Sequence, residues 1–213
     1  MKNTKKAIIG KKIGMTRVFG EDGKAIPVTV VECGPCVVVN IKTEENDGYD
    51  AVQLGFGDVS RKRKLLTKPH IGQFEKRSLP VKRHLSEFRN YEKNVKIGEE
   101  ITVNDFNIGD KVNVSGVSKG KGFQGVVKRH HFSGVGMATH GQHDRARHPG
   151  SVGGSSDPSK VFKGLRMAGQ MGNKKSTIRN IEVVEVVNDK NLMLVKGGLP
   201  GGKNSLLEIY MMI

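Results

Sequence analysis

The sequence predicts a mainly β protein whose strands form a small closed or nearly closed barrel, interrupted by two basic segments. Short valine-rich runs recur along the chain between Gly, Pro and Asn-Asp turn signals, a spacing that is typical of barrels. The chain has 213 residues and a net charge of +15, and all of the excess lies in residues 60–96 and 115–179. The second block is also rich in Gly and His, and from Ser133 to Asp157 it has almost no repeating apolar pattern. We therefore expect it to leave the barrel as a long loop.

The predicted strands lie in the segments of low net charge. Alternating apolar residues between Ile8 and Met15 predict the first strand. Gly34-Pro35 separates two later valine-rich runs and predicts a hairpin-like turn between them. The further candidate strands are residues 26–32, 36–42, 51–56, 111–117, 178–187, 191–196 and 205–211.

These boundaries divide the chain into three predicted parts. The barrel core takes residues 1–59, 97–118 and 176–213, the first basic block is an inserted subdomain at 60–96, and the long loop covers 119–175. A modest core is possible, because about a third of the residues are apolar.

The first basic block has 12 Lys or Arg residues against 3 acidic ones. It opens with Arg61, Lys62, Arg63 and Lys64, and its apolar content is too small for its fold to be assigned from the pattern. A surface made for solubility mixes its charges. The block therefore favours binding to a polyanion, with a solvated basic face as the alternative.

The second basic block has 12 basic and 2 acidic residues, 13 of the 28 Gly and 5 of the 7 His. One short helix is predicted at 122–131, where Phe123, Val126, Val127 and His130 share a face. A long segment without its own structure is usually functional or disordered. We expect a loop that is disordered in the free chain and ordered by a nucleic acid. The candidate binding residues are Lys119, Lys121, Lys128, Arg129, His130, His131, His140, His143, Arg145, Arg147, His148, Ser151, Lys160, Lys163, Arg166, Lys174 and Lys175, together with the four basic residues that open the first block.

The Cys33-Gly34-Pro35-Cys36 sequence has the spacing of a thiol oxidoreductase. Such a site needs its first Cys at a helix N-terminus, which lowers the thiol pKa, whereas strand residues follow Cys36 here. A zinc ribbon would need a second Cys pair, and the chain has only these two Cys residues. We interpret the motif as a turn flanked by two thiols.

The segment from Gly120 to Gly125 matches the glycine pattern of dinucleotide-binding proteins. That reading requires a second strand ending near an acidic residue, and Asp144 lies among His and Arg residues instead. We interpret the glycines as positions where the backbone can approach phosphates, with Lys119 and Lys121 supplying charge.

The histidines of the second block could in principle bind metal or act in a nuclease. Metal-dependent phosphodiester chemistry usually needs several carboxylates, and Asp144 and Asp157 are the only acidic residues in this block. Beside Arg145 and Arg147, the histidines fit stacking and hydrogen bonding to RNA better. We predict no catalytic residue, no metal and no cofactor.

Neither a membrane-spanning apolar run nor a secretory signal is apparent in the sequence. Two Cys and eight Met are typical of a reducing compartment. We therefore expect a cytoplasmic protein without a membrane partner or a small-molecule substrate.

Several motifs, in order along the chain, resemble the ribosomal protein L3 family in its bacterial form. The resemblance covers essentially the whole chain and is most specific in the segment from Gly120 to His130. The other motifs are Gly10–Thr16, Thr139–Gly141, Arg147–Ser151, Val161–Gly164, Met167–Gly172 and Leu194–Gly197.

The resemblance implies a β-barrel of the translation-protein type with a small inserted α+β subdomain. It implies a non-catalytic role in the large ribosomal subunit, binding of rRNA near its 3′ end early in assembly, and contact with large-subunit proteins fourteen and nineteen. The loop tip near the peptidyl transferase centre would be Gly153, Gly154, Ser155, Ser156, Asp157 and Pro158. Ser156 stands where some relatives carry a methylated Gln, so that modification should be absent.

Two alternatives remain open at this point. A nucleic-acid chaperone without a fixed binding site would share the basic blocks. A histidine nuclease or thiol oxidoreductase would require chemistry at His140 and His143 or at the Cys pair. Association with large ribosomal subunits distinguishes the first alternative, and loss of turnover on substitution distinguishes the second.

Overall fold

The computed structural model describes residues 4–20, 22–59, 66–91, 94–136, 140–142 and 144–212. The chain forms two compact units. One comprises Met1–Ser118 with Lys175–Ile213, here called the core unit, and the other is Lys119–Lys174, here called the arm. No helix within the described ranges is long and apolar enough to cross a membrane.

The described part of the chain is mainly β, as predicted. The strands are β1 (Thr4–Phe19), β2 (Ala25–Cys33), β3 (Cys36–Lys42), β4 (Ala51–Asp58), β5 (Lys82–Arg89), β6 (Glu100–Ile101), β7 (Lys111–Val117), β8 (Phe123–Gln124), β9 (Gly169–Gln170), β10 (Lys175–Val187), β11 (Leu192–Lys196) and β12 (Leu206–Met212). The α-helices are α1 (Glu44–Asp47), α2 (Lys68–Glu75) and α3 (Val126–His130).

Six antiparallel strands of the core unit close into a barrel in the order β1-β12-β7-β10-β11-β2. Strand alternation explains its interior, because every second side chain of a strand points to the same face. Ile8, Ile209 and Val114 lie side by side on β1, β12 and β7 and are fully buried. The mainly β fold predicted from the valine-rich runs is confirmed, and the strands close as a barrel.

The hairpin predicted at Gly34-Pro35 is wrong. Strand β2 pairs with β1 and β11, whereas β3 pairs with β4 and β6 in a second sheet. The turn therefore carries the chain from the barrel into the other sheet. Gly34 has a φ of +70°, and a Cβ there would lie 3.1 Å from the Ile101 carbonyl oxygen. The local turn signal was real, but it does not specify which strands pair.

The second sheet has the order β5-β4-β3-β6. Strand β5, from the first basic block, pairs along β4, with Lys82 opposite Asp58 and Arg89 opposite Ala51. The sheet thus takes strands from both sides of the boundary expected at residues 59 and 60. Helix α2 buries Phe74 completely.

Candidate nucleic-acid interface

The two ends of the arm are joined by a short antiparallel ladder. Phe123 of β8 lies opposite Gln170 of β9, and Gln124 lies opposite Gly169. The backbone N–H of Lys121 donates to the Met171 carbonyl at 2.9 Å, and the Met171 N–H donates to the Gly122 carbonyl at 3.0 Å. These bonds form the arm base, defined here as residues 119–131 and 167–174.

Helix α3 follows the ladder and is shorter than predicted, because Phe123 belongs to β8 rather than to the helix. The Phe123 ring is 77% exposed, while Val126 is buried. The helix ends at His130, and the capping residue His131 has a φ of +61° and donates its N–H to the Val127 carbonyl at 3.0 Å. The side chain of Phe123 therefore does not share the buried face that the periodicity suggested.

Beyond the base, the arm has little internal packing. The Val135 N–H donates to the Ala146 carbonyl at 3.3 Å, and turns follow between Gln142 and His148. Residues 147–168 are exposed throughout. Val126 is the only buried residue in the described part of the arm. The described residues of the distal arm, defined here as residues 132–166, therefore form no core of their own.

The predicted binding residues that are described in the arm are exposed, apart from Arg129 and His130, which are half-buried. Arg61, Lys62, Arg63, Lys64 and His143 lie outside the described residues. Lys175 is the first residue of β10 in the core unit, and its Nζ lies 2.5 Å from the Glu208 Oε2. Among the described residues, no carboxylate forms an ion pair with Lys119, Lys121, Lys128, Arg145, Arg147, Lys160, Lys163 or Arg166.

The tip residues Gly153–Pro158 are all exposed. The Ser151 hydroxyl donates to the Gly153 carbonyl at 3.0 Å, which shapes the entry to the tip. Asp157 is the only charged residue of this segment. The tip is therefore small and nearly neutral, and it lies between two basic segments of the arm, here called its legs, at residues 119–152 and 159–174.

Two exposed aromatic rings were missed as candidate binding residues. Phe123 is 77% exposed and Phe162 is 62% exposed, and the Lys160 Nζ lies 5.9 Å from the Phe162 ring centre. A signal for both was present in the sequence, because each ring lies two residues after a Lys. Exposed rings beside cations are the side chains on which unpaired bases stack.

Redox chemistry requires a thiol with a lowered pKa, and the environment of the Cys pair raises it instead. Cys33 and Cys36 are both fully buried. Burial raises the pKa of the Cys33 thiol, and it raises the pKa of Cys36 to about 12. Both groups therefore stay protonated at neutral pH, and a thiolate nucleophile is not formed. Within the described residues, no group of three or more His, Cys, Asp or Glu side chains could hold a metal ion.

Comparison with known proteins decides between the alternatives left open by the sequence. The model of the family described as Ribosomal protein L3 matches residues 82–193, more than half of the chain. The Large ribosomal subunit protein uL3 of Salinibacter ruber (strain DSM 13855 / M31) is 54% identical over 204 residues, covering 95% of this chain and 97% of that protein. The chain belongs to the ribosomal protein L3 family. The family assigned from the motifs is confirmed.

Membership of the L3 family also bears on chemistry. L3 proteins are structural proteins of the ribosome, so the expectation that the chain is not an enzyme is confirmed. The matched residues include the whole arm and the barrel strands β7 and β10 on either side of it. The nuclease and oxidoreductase readings are therefore set aside.

Proposed function

We propose that this L3-family chain is a non-catalytic structural constituent of the large ribosomal subunit, in the cytoplasm, and that its arm binds large-subunit rRNA. One observation carries the proposal. Within the described residues, the arm buries only Val126 and exposes eight basic side chains without a carboxylate partner, namely Lys119, Lys121, Lys128, Arg145, Arg147, Lys160, Lys163 and Arg166. Such a segment gains its order by neutralising a polyanion.

Phosphate binding by this arm depends on the charge of its Lys and Arg side chains and on the accessibility of its backbone. Each Lys or Arg that neutralises a phosphate releases a counterion, which makes the affinity dependent on salt. Gly122 has a φ of +66° and open space where a Cβ would be, so the backbone beside Lys121 is accessible to a phosphate. Phe123 and Phe162 then supply faces on which single-stranded bases stack.

The finer parts of the proposal follow from the L3 resemblance and from the shape of the tip. The basic legs bind rRNA near its 3′ end early in assembly, and the small, nearly neutral tip at Gly153–Pro158 supports the peptidyl transferase centre. Neighbouring contacts are with large-subunit proteins fourteen and nineteen. The first basic block, including Arg61–Lys64, adds a second rRNA contact.

The arm's role is tested by the salt dependence of binding between the full chain and a large-subunit rRNA transcript. A Lys160→Gln, Lys163→Gln double variant should lower the slope of log K against log salt by about 0.7–0.9 for each phosphate contact removed. The matched control is Lys24→Gln with Lys196→Gln, which removes the same charge from core-unit lysines paired with Asp22 and Glu182. Equal slopes for the two double variants would contradict binding through the arm.

The position of the tip is tested by directed cleavage of rRNA. A Ser155→Cys variant can be labelled with an iron chelate, because Cys33 and Cys36 are buried and remain unlabelled in the folded chain. Hydroxyl radicals from reconstituted large subunits should cut rRNA of the peptidyl transferase centre. Cuts confined to distant rRNA would overturn this placement, and loss of the chain from the subunit after a moderate salt wash would favour a free chaperone.

A further inference from the structure

Arg129 belongs to the basic motif that the sequence assigned to RNA, but its side chain is already engaged within the arm. The guanidinium Nη1 donates to the Met167 carbonyl oxygen at 2.6 Å. The Nε2 of His130 lies 3.1 Å from the same oxygen. Neighbouring Lys128 is exposed and has no such partner among the described residues. Adjacent basic residues of one motif therefore have different surroundings.

The seat of Arg129 depends on a glycine on the opposite leg. A Cβ on Gly169 would lie 2.6 Å from Arg129 Nη1 and 3.1 Å from its Cζ. Real Cβ atoms do not approach so closely, so the guanidinium occupies the space that a side chain at residue 169 would take. Gly169 also pairs with Gln124 in the ladder. The Arg contact and the backbone ladder thus share one residue.

The other end of the base is equally close-packed. Gly172 has a φ of +73°, and a Cβ there would collide with the Lys119 carbonyl oxygen. The ladder bonds of Lys121 and Met171 lie between this contact and the Arg129 contact. Both legs are therefore held along the whole base, in contrast to the exposed residues 147–168.

We propose that Arg129 is a positioning residue that clamps the two legs of the arm together before RNA binds, rather than a phosphate ligand. The clamp requires that the guanidinium of Arg129 reach from α3 to the Met167 carbonyl oxygen, across the space left open by Gly169. The base is then ordered in the free protein, and only the distal arm orders on rRNA. We therefore expect only the distal arm, and not the whole arm, to be disordered in the free chain.

The clamp lowers the free energy of ordering that binding must overcome. A segment that is already fixed loses little conformational entropy on binding, which raises affinity without adding a contact. This consequence for affinity rests on the proposed rRNA binding, whereas the clamp itself does not. It is measurable in the isolated full-length protein.

Hydrogen exchange tests the clamp in the absence of RNA. Arg129→Lys keeps the charge but loses the rigid fork that reaches Met167. We expect the backbone amides of Lys121 and Met171 to exchange about tenfold faster or more in this variant, as for the loss of one charged hydrogen bond. Lys128→Gln, the matched control, should leave both rates unchanged. Equal exchange in Arg129→Lys and the unaltered chain would overturn the proposal.

Gly169→Ala provides a second, independent perturbation. Its methyl group should displace the guanidinium and accelerate exchange at the same two amides. Both substitutions disrupt the same hydrogen bond between Arg129 and Met167. Adding Arg129→Lys to Gly169→Ala should therefore accelerate amide exchange little further. Fully additive effects would show that Arg129 and Gly169 act separately and would overturn the clamp. Unchanged melting of the barrel confirms that the core unit remains folded.

RNA binding separates the clamp from a phosphate contact. Lys128→Gln should lower the slope of log K against log salt by about 0.7–0.9, the value for one phosphate contact. Arg129→Lys should weaken the affinity and leave this slope unchanged. If Lys128→Gln weakens binding and Arg129→Lys retains full affinity, Arg129 makes only a simple charge contact with RNA, and its positioning role in binding is overturned. If no arm variant changes RNA affinity, the proposed function fails, while altered exchange would still support the clamp.

Discussion

The ammonium group of Lys12 donates a 2.7 Å hydrogen bond to the Leu199 carbonyl oxygen from a side chain that is buried in the core unit. A second bond of 3.3 Å reaches the Gly201 carbonyl. Lys12→Met should therefore destabilise the protein by about 1–3 kcal/mol, because buried carbonyl groups lose their donor. Denaturant unfolding measures the change. Lys11→Met is the control, and an equal loss there would rule out a specific contribution from Lys12.

Two glycines of β1 should respond differently to alanine. At Gly10 a Cβ would lie 2.7 Å from Val31 Cγ1 and 2.9 Å from the Glu32 carbonyl oxygen, while at Gly14 nothing lies within 4 Å. Gly10→Ala should lower the free energy of unfolding by about 1–3 kcal/mol through overpacking. Gly14→Ala should be neutral or stabilising by up to about 1 kcal/mol, since it restricts the unfolded chain. Similar denaturation midpoints for both variants would contradict the close approach at Gly10.

Alkaline pH should destabilise the core through Cys36. Burial raises the pKa of this thiol from 9.0 to about 12, although the hydrogen bond with Ile9 and the charge of Lys82 lower it. The unfolded thiol ionises first, so its contribution to stability is complete below pH 9 and declines as pH rises towards 12. Between about pH 8 and pH 10.5 the loss from this group is roughly 2 kcal/mol.

Comparison of unfolding at these two pH values isolates the thiol. Cys36→Ala should lose less stability on alkalisation than the unaltered protein. Val37→Ala, which shortens a buried neighbour without a titrating group, should keep the full pH dependence. Identical pH dependence in the Cys36 variant would show that its thiol does not titrate in this window. Burial also raises the pKa of Cys33 and raises that of Tyr91 to about 12, so a residual alkaline decline is expected in the Cys36 variant.

Phe162 should contribute to rRNA affinity without contributing to stability. Its ring is 62% exposed, so Phe162→Ala should leave thermal melting unchanged. Loss of one stacked base should weaken binding by about 1–3 kcal/mol. Val161→Ala changes an adjacent exposed apolar residue and serves as the control in the same titration. Equal weakening by both variants would argue against stacking on the ring.

The sequence was sufficient for the elements whose signals are local. The alternation around Val112 and Val114 predicted β7 with its observed bounds, and the predicted strands of the barrel lie within a few residues of those observed. Pairing was less predictable, because Glu32 of β2 lies opposite Leu192, far along the chain. A turn signal at Gly34-Pro35 contains no information about that distant partner.

In the arm too, the sequence did not predict contacts between residues that are far apart along the chain. Its charge and glycine content predicted a segment without a core, and the described residues fit that expectation. The pattern could not separate Arg129 from Lys128, because the partner of Arg129 is a backbone carbonyl on the other leg. Every residue type has a backbone carbonyl, so the identity of Met167 does not reveal that its carbonyl accepts a hydrogen bond from Arg129. Phe123 was likewise assigned to a helix face because periodicity does not reveal where a helix begins.

The pairing of Val117 with Lys175 has a consequence for how the chain can be altered. Strands β7 and β10 are neighbours in the barrel, so the arm begins and ends at adjacent positions, as a hairpin loop does. Loop-closure entropy grows slowly, by about 0.6 kcal/mol for each doubling of length. The barrel should therefore tolerate arms of very different length, and a protein engineer could replace residues 119–174 by a tight turn and retain a folded scaffold.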